Sequence, residues 1–178
     1  MPPQDPYVPR LTDAGMRGNP YWYSRNPFYQ AGYGLPNCTC YAWGRFWEIN
    51  NQCGHDETPL GMIGNAVDWY GNSAAYQHGP TPKLGAVICF AGGTFGTGHV
   101  GVVEEVQQDG TIVTSNSDYG GTYFYLSTIH PPYNGGGLYF QGFIYNPYAD
   151  EPTPPTPSYA KRGKFPWVLY SRKRKTRK

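Results

Sequence analysis

The spacing of hydrophobic residues changes once along the chain, from a helical period to the alternation of strands. Residues 39–50 carry apolar side chains at helical intervals, and Asn37 just before them is a residue type that caps helices. A second, shorter helical pattern covers residues 61–70. Later apolar runs, bounded by turn residues, predict strands at 84–90, 99–107, 111–116, 123–129 and 138–145. Helices followed by an antiparallel sheet predict an α+β fold.

The two ends of the chain differ in composition from its middle. Residues 1–36 are rich in Pro, Tyr, Asn and Gly, and they are predicted to form an irregular arm of one domain over residues 1–147. Residues 148–160 are predicted to be a Pro-rich linker. Residues 161–178 hold nine of the fourteen Lys and Arg residues and no acid, so the net charge of +2 conceals a basic tail. A basic tail of this kind is suited to a polyanion, such as an anionic surface or nucleic acid.

Membrane, zinc and disulfide classes of protein do not fit this chain. No apolar run approaches the ~18 residues of a transmembrane helix, and residues 1–5 lack the pattern of a secretory signal. We therefore expect synthesis in a cytoplasm and release by another route. The spacing of the four cysteines matches no zinc pattern, and we expect neither a disulfide framework nor a metal or other cofactor. Cys89 lies in an apolar run and is predicted to be buried.

Cys38 stands at the predicted start of the first helix. A helix N-terminus and a nearby His both favour the thiolate, which is the nucleophilic form of cysteine. The backbone N–H of Cys38 would then face a bound carbonyl and help to hold an oxyanion. A cysteine at a helix start is more often a packing residue, so this position by itself is a weak indication of catalysis.

His99 follows the glycine-rich loop of residues 92–98 and opens a predicted strand. A general base is well placed at the edge of a rigid strand beside a loop that admits substrate. A lone histidine in such a place is more often a hydrogen-bonded surface residue, so His99 alone indicates little.

Strand parity adds two candidates that would orient the base. A two-residue turn at residues 109–110 would pair Gly101 with Asp118, and side chains alternate along strands, so His99, Asn116 and Asp118 share one face. Either Asn116 or Asp118 can accept the N–H of His99 and set its tautomer. This register brings Asp118 nearer to His99, and a bulge would reverse the order.

Four segments in order resemble the CHAP family, the cysteine, histidine-dependent amidohydrolases/peptidases. Residues 37–45 (NCTCYAWGR) resemble its cysteine motif, and residues 82–88 (PKLGAVI) resemble the strand before its histidine. Residues 98–104 (GHVGVVE) resemble the histidine motif, and residues 109–113 (DGTIV) the hairpin after it. The ordered set is far more specific than any one motif.

The resemblance implies a papain-like α+β fold and cleavage of an amide bond in bacterial peptidoglycan, by an amidase or by a stem or crossbridge endopeptidase. It implies Cys38 as nucleophile and His99 as base, with Asn116 preferred over Asp118 as the residue that orients His99. Cys40 stands where the family usually has an aromatic residue. Residues 26–36 lack the acids with which some members bind calcium, so we expect no calcium there.

Together these observations predict a monomeric, bacteriophage-type lysin that reaches the cell wall after holin-dependent release or as a virion component. We expect its basic tail to bind teichoic acid or an anionic membrane surface rather than nucleic acid, because this would concentrate the enzyme on its substrate. Two alternatives stay open: a cysteine peptidase of the same fold with a substrate outside the wall, and a non-catalytic wall-binding or virion structural protein. The many tyrosines of the arm and of residues 119–148 would stack on sugars or hold a peptide if exposed, although core packing is expected for most aromatics. Trp43 and Trp47 are predicted to be core residues from their helical spacing.

Overall fold

A computed structural model describes residues 7–149 of the chain. These residues form an α+β fold, as the order of hydrophobic patterns predicts. The predicted helices and strands are present within a few residues of their expected ends, and a short helix and a two-residue strand are added. The elements are α1 (Pro27–Gln30), α2 (Cys38–Gln52), α3 (Ala66–Asn72), β1 (His78–Gly79), β2 (Val87–Gly92), β3 (His99–Val106), β4 (Ile112–Asn116), β5 (Tyr125–Ile129) and β6 (Leu138–Ile144).

The strands form one antiparallel sheet in the order β1-β6-β2-β3-β4-β5. Helix α2 lies against one face, and its side chains share a buried cluster with residues of β2, β3 and β6. Trp43 and Trp47 belong to this cluster, as their spacing predicts. Cys89 of β2 belongs to it as well and is fully buried, as predicted. A smaller cluster covers the opposite face of the sheet. The fold is therefore the papain-like arrangement of helices packed on an antiparallel sheet.

The second helix starts later than its pattern predicts, at Ala66 rather than at residue 61. Gly61 and Gly64 both have positive φ angles, which a right-handed helix cannot contain. A Cβ on Gly61 would also lie 2.4 Å from the backbone oxygen of Asn72. The tight turn at this glycine brings the segment before α3 back against the end of the same helix.

The hairpin between β3 and β4 does not have the predicted register. The backbone N–H of Gln107, not of Gln108, donates to the oxygen of Thr111, and the pairing shifts again between Val103 and Glu105. The shift at the turn and the shift at the bulge each displace the pairing by one residue, so together they move it by two and preserve which side chains share a face. Consequently Asn116, rather than Asp118, lies beside Gly101.

A buried ion-pair network joins the arm, helix α2 and strand β3. Arg45 and Glu104 are fully buried and make two hydrogen bonds of 2.9 Å with each other. Glu48 also pairs with Arg45, at 2.6 Å, and accepts hydrogen bonds from Arg10. Tyr7 donates its hydroxyl proton to Glu104 over 2.5 Å. The first described residues of the predicted irregular arm are thus bonded into the interior of the domain.

No helix among residues 7–149 is long and apolar enough to cross a membrane. The predicted linker is described only at its first two residues, Tyr148 and Ala149, and Ala149 is still buried against the core. The rest of the linker and the basic tail of residues 161–178 lie outside the described part of the chain. The assignments of these segments therefore stay predictions from composition.

Candidate active site

Cys38 is the first residue of α2, as the capping signal at Asn37 predicts. The side-chain oxygen of Asn37 accepts hydrogen bonds from the backbone N–H groups of Thr39, at 2.8 Å, and Cys40, at 3.3 Å. The cap leaves the backbone N–H of Cys38 out of these bonds, at the positive end of the helix. This geometry suits a group that is to stabilise negative charge on a bound carbonyl oxygen.

Ser117 ties the start of α2 to the end of β4. Its hydroxyl accepts a hydrogen bond from the backbone N–H of Asn37 over 3.0 Å and donates to the carbonyl oxygen of Thr122 over 3.2 Å. Because Ser117 follows Asn116 directly, it links the helix that begins at Cys38 to the strand that carries Asn116. Sequence reasoning missed Ser117, and its local pattern offers no signal that would have found it.

The ring of His99 is hydrogen-bonded to Asn116 at the start of β3. The distance from His99 Nε2 to Asn116 Oδ1 is 3.1 Å. Asn116 Nδ2 donates to the backbone oxygen of Thr114 over 3.1 Å and to its hydroxyl over 2.9 Å. A carbonyl oxygen only accepts, so the Thr114 contact sets the orientation of the amide. His99 therefore carries its proton on Nε2, and Nδ1 is left as the basic nitrogen.

Gly101 makes room for this hydrogen bond. A Cβ at position 101 would lie 2.2 Å from Asn116 Oδ1 and 3.2 Å from its Cγ. Any other residue type would push the amide away from His99 unless the backbone shifted. Gly101 is part of the motif of residues 98–104, so the sequence does single out this segment. That the glycine makes room for the Asn116 amide can be seen only from the pairing of β3 with β4.

Asp118 lies near the pair but makes a different hydrogen bond. Its Oδ1 accepts the hydroxyl proton of Tyr125 over 2.7 Å, and its backbone N–H donates to Thr122. Among the hydrogen bonds of residues 7–149, the His99 side chain is bonded to Asn116 and not to Asp118. The two candidates are thus separated by geometry: Asn116 contacts the imidazole directly, and Asp118 acts on it through charge.

Cys38 and His99 both line a cavity of about 750 Å³ that opens to solvent. Burial raises the pKa of the Cys38 thiol above its ordinary value of 9.0, although backbone N–H groups, led by that of Val100, act against this shift. Burial also lowers the pKa of His99 below 6.5, while the Asn116 hydrogen bond and the Asp118 charge act in the opposite sense. Near neutral pH the two groups therefore rest as a thiol and a neutral imidazole. An imidazole in this state is available as a general base.

The walls of the cavity come from separate parts of the chain. They are formed within residues 27–33 of the arm, 37–39 at the start of α2, 63–66 before α3 and 94–99 of the glycine-rich loop and β3, together with Tyr119. Cys40 is not among them: it is fully buried, and its sulfur contacts the backbone oxygen of Trp22. Within residues 7–149 no three or more His, Cys, Asp or Glu side chains are grouped to hold a metal ion.

The structure thus places a cysteine at a helix start and a histidine hydrogen-bonded to an asparagine of the sheet along one cavity. The profile of the CHAP domain matches residues 28–118, which include each of the four candidate site residues. The chain belongs to the CHAP domain family.

Curated relatives and a solved structure share part of this chain. It is 36% identical to the probable autolysin LDP of Staphylococcus aureus over 91 residues, which are 50% of this chain and 30% of that protein. It is 30% identical to an N-acetylmuramoyl-L-alanine amidase domain-containing protein of the same species over 131 residues, 68% of this chain and 20% of that protein. A crystal structure of an S. aureus N-acetylmuramoyl-L-alanine amidase matches 75% of this chain and 37% of its own, with 28% identity and a TM-score of 0.48. The chain thus spans about a third or less of the curated relatives it matches.

Proposed function

We propose that this chain is a peptidoglycan hydrolase that cleaves an amide bond by Cys38–His99 nucleophilic catalysis. The observation that carries the proposal is the hydrogen bond from His99 Nε2 to Asn116, which leaves the basic Nδ1 for a cysteine lining the same cavity. The backbone N–H of Val100, the residue after His99, is among the groups that lower the pKa of Cys38, and both Cys38 and His99 line the cavity. Wall substrates are supported by the relatives, which are named as autolysins and as an amidase domain-containing protein.

In the proposed reaction His99 Nδ1 takes the thiol proton of Cys38 as the sulfur attacks the amide carbonyl. The backbone N–H of Cys38 stabilises the negative charge that develops on the carbonyl oxygen. His99 then returns the proton to the departing amine, the C–N bond breaks and a thioester is left on Cys38. Water, deprotonated by His99, hydrolyses the thioester and restores the thiol. Asn116 keeps the imidazole in the required tautomer through the protonation cycle.

The bacteriophage origin of the protein and the identity of the cleaved bond are separate parts of the proposal. The lysin assignment with holin-dependent or virion-borne delivery rests on the sequence resemblance, whereas the relatives are named as staphylococcal autolysins. The bond is either the one between the sugar's lactyl group and the first amino acid, or one within the stem or crossbridge peptides. Binding of teichoic acid by the tail and a monomeric state also stay predictions.

The test is digestion of purified peptidoglycan by the wild type, by Cys38→Ala and by Cys40→Ala, followed by mass spectrometry of the released fragments. Cys40 is a matched control because its thiol is buried outside the cavity. We expect Cys38→Ala to release nothing and Cys40→Ala to release the same fragments as the wild type. Equal release by the wild type and Cys38→Ala would contradict the mechanism, and intact sacculi after wild-type treatment would contradict the wall substrate. Fragment masses distinguish an amidase from an endopeptidase.

A further inference from the structure

The rim of the active-site cavity carries several of the most exposed large hydrophobic side chains of the described chain. Phe95 is 83% exposed, Tyr119 70%, Ile63 62% and Tyr33 54%, and all four line the cavity. They come from four separate segments that converge only in the fold. An apolar group that stays in water at the mouth of a cleft contributes nothing to folding, and such patches mark binding surfaces.

The cavity wall is uncharged and mostly apolar, with a few neutral polar groups. Its lining contains no Asp, Glu, Lys or Arg among residues 7–149. Neutral hydrogen-bonding groups are supplied by Asn65, Thr94 and Thr97. Asn65 occupies the cap position of α3, yet its side chain makes no capping hydrogen bond, so its amide is free to bind a ligand. Two carboxylates lie nearby: that of Asp118, whose charge acts on both Cys38 and His99, and that of Asp68 beside Gly64.

This chemistry favours a sugar over a charged peptide. Aromatic faces stack on the C–H-rich faces of pyranose rings, and neutral amides and hydroxyls hydrogen-bond to sugar hydroxyl and acetamido groups. The free carboxylate and ammonium groups of a wall peptide would find no charged partner in the cavity lining, so their desolvation there would be uncompensated. Asp118 would in addition repel a carboxylate.

We propose that the aromatic rim, defined as Tyr33, Phe95 and Tyr119, binds an N-acetylated amino sugar of the glycan strand next to the scissile amide. The inference rests on the proposed hydrolase function and deepens it. A sugar held beside Cys38 assigns the bond between the sugar's lactyl group and the first amino acid of the stem, which makes the enzyme an amidase.

Binding is measured with the full chain carrying Cys38→Ala, so that no substrate is consumed. The probes are neutral N-acetylglucosamine oligomers and, in a parallel arm, sugar-free stem and crossbridge peptides. Titrations are run in ~0.5 M salt, because this screens attraction of the basic tail to charged probes. We expect the sugar oligomers to bind and the peptides to bind much more weakly.

Three alanine variants in the same background locate the binding. Phe95→Ala and Tyr119→Ala are each expected to weaken sugar binding by about three- to tenfold, the range for loss of one aromatic stacking contact. Tyr139→Ala is the matched control, since Tyr139 is 65% exposed but lies outside the cavity lining. Circular dichroism spectra establish that each variant is folded.

Tighter binding of the peptides than of the sugar oligomers would overturn the inference, and so would equal weakening by all three variants. Wild-type digestion of sacculi, run alongside, separates this failure from failure of the proposed function. Fragments released without sugar binding would refute the rim assignment alone. Sugar binding that depends on the rim, without any cleavage of sacculi, would refute the proposed hydrolase function.

Discussion

Replacing Gly101 with alanine is the sharpest test of how the site is assembled. The added Cβ would lie 2.2 Å from Asn116 Oδ1, whereas ordinary van der Waals contacts begin at 3.4 Å. The Asn116 amide would have to retreat by roughly 1 Å, and such a displacement of a catalytic group costs on the order of a hundredfold in rate. The retreat would break the 3.1 Å hydrogen bond that sets the His99 tautomer. The φ angle of Gly101 is not positive, so alanine introduces no backbone strain.

We therefore expect Gly101→Ala to lower kcat for peptidoglycan about a hundredfold, equivalent to about 2.7 kcal/mol in activation free energy. KM should change little, because Asn116 does not line the substrate cavity. The assay is dye release from labelled sacculi at several substrate concentrations, with the melting temperature measured for each variant. Gly71→Ala in α3 is the control, since a Cβ there meets nothing within 4 Å.

A double-mutant cycle tests whether Gly101 acts through Asn116. Adding Gly101→Ala to Asn116→Ala should cost almost nothing further, because the clashing amide is already absent. Fully additive losses would show that the glycine matters for another reason. A Gly101→Ala enzyme with wild-type kcat would refute the reasoning altogether.

Two further predictions concern the charges around the site. Burial places the pKa of His99 below 6.5, so the kcat/KM of the wild type should fall only when the pH drops below that value. Asp118→Asn removes a negative charge that raises this pKa. The pH–rate profile of the variant should therefore show its acid limb at a still lower pH. The same substitution lowers the pKa of Cys38, so alkylation by iodoacetamide at a fixed pH should become faster, and unchanged alkylation would count against the charge effect. Glu104→Gln leaves the buried guanidinium of Arg45 without its main partner and should cost about 3 kcal/mol in unfolding free energy, measured by urea denaturation. The ion pair with Arg45 holds the pKa of Glu104 below 4.5, the ordinary glutamate value, so the wild type should itself lose this stabilisation as the pH falls below 4.5. A difference in unfolding free energy between wild type and Glu104→Gln that does not change with pH would contradict this assignment.

The start of α2 and the strand that carries His99 can be predicted from local sequence, because both depend on residues that are neighbours along the chain. Asn37 caps α2 by bonding to residues two and three positions later, so the start of the helix at Cys38 is readable from the motif itself. The alternation along 99–107 likewise predicts a strand opened by His99. Parity alone places His99, Asn116 and Asp118 on one face, and this conclusion survives the wrong register because the shift preserves the parity.

Which of these side chains come into contact depends on long-range packing. The hairpin turn and the bulge between Val103 and Glu105 together set the register that brings Asn116, not Asp118, to His99. Glu104 at that bulge pairs with Arg45 of α2, 59 positions away. Hydrogen bonds such as the one from Asn37 to Ser117, 80 residues apart, have no local signature, because their energy depends on packing of the whole sheet against the helix. The cavity rim likewise exists only where separate loops converge. The chemical groups and the elements that carry them follow from the amino-acid sequence, whereas long-range packing sets their contacts and the surface that they offer to substrate.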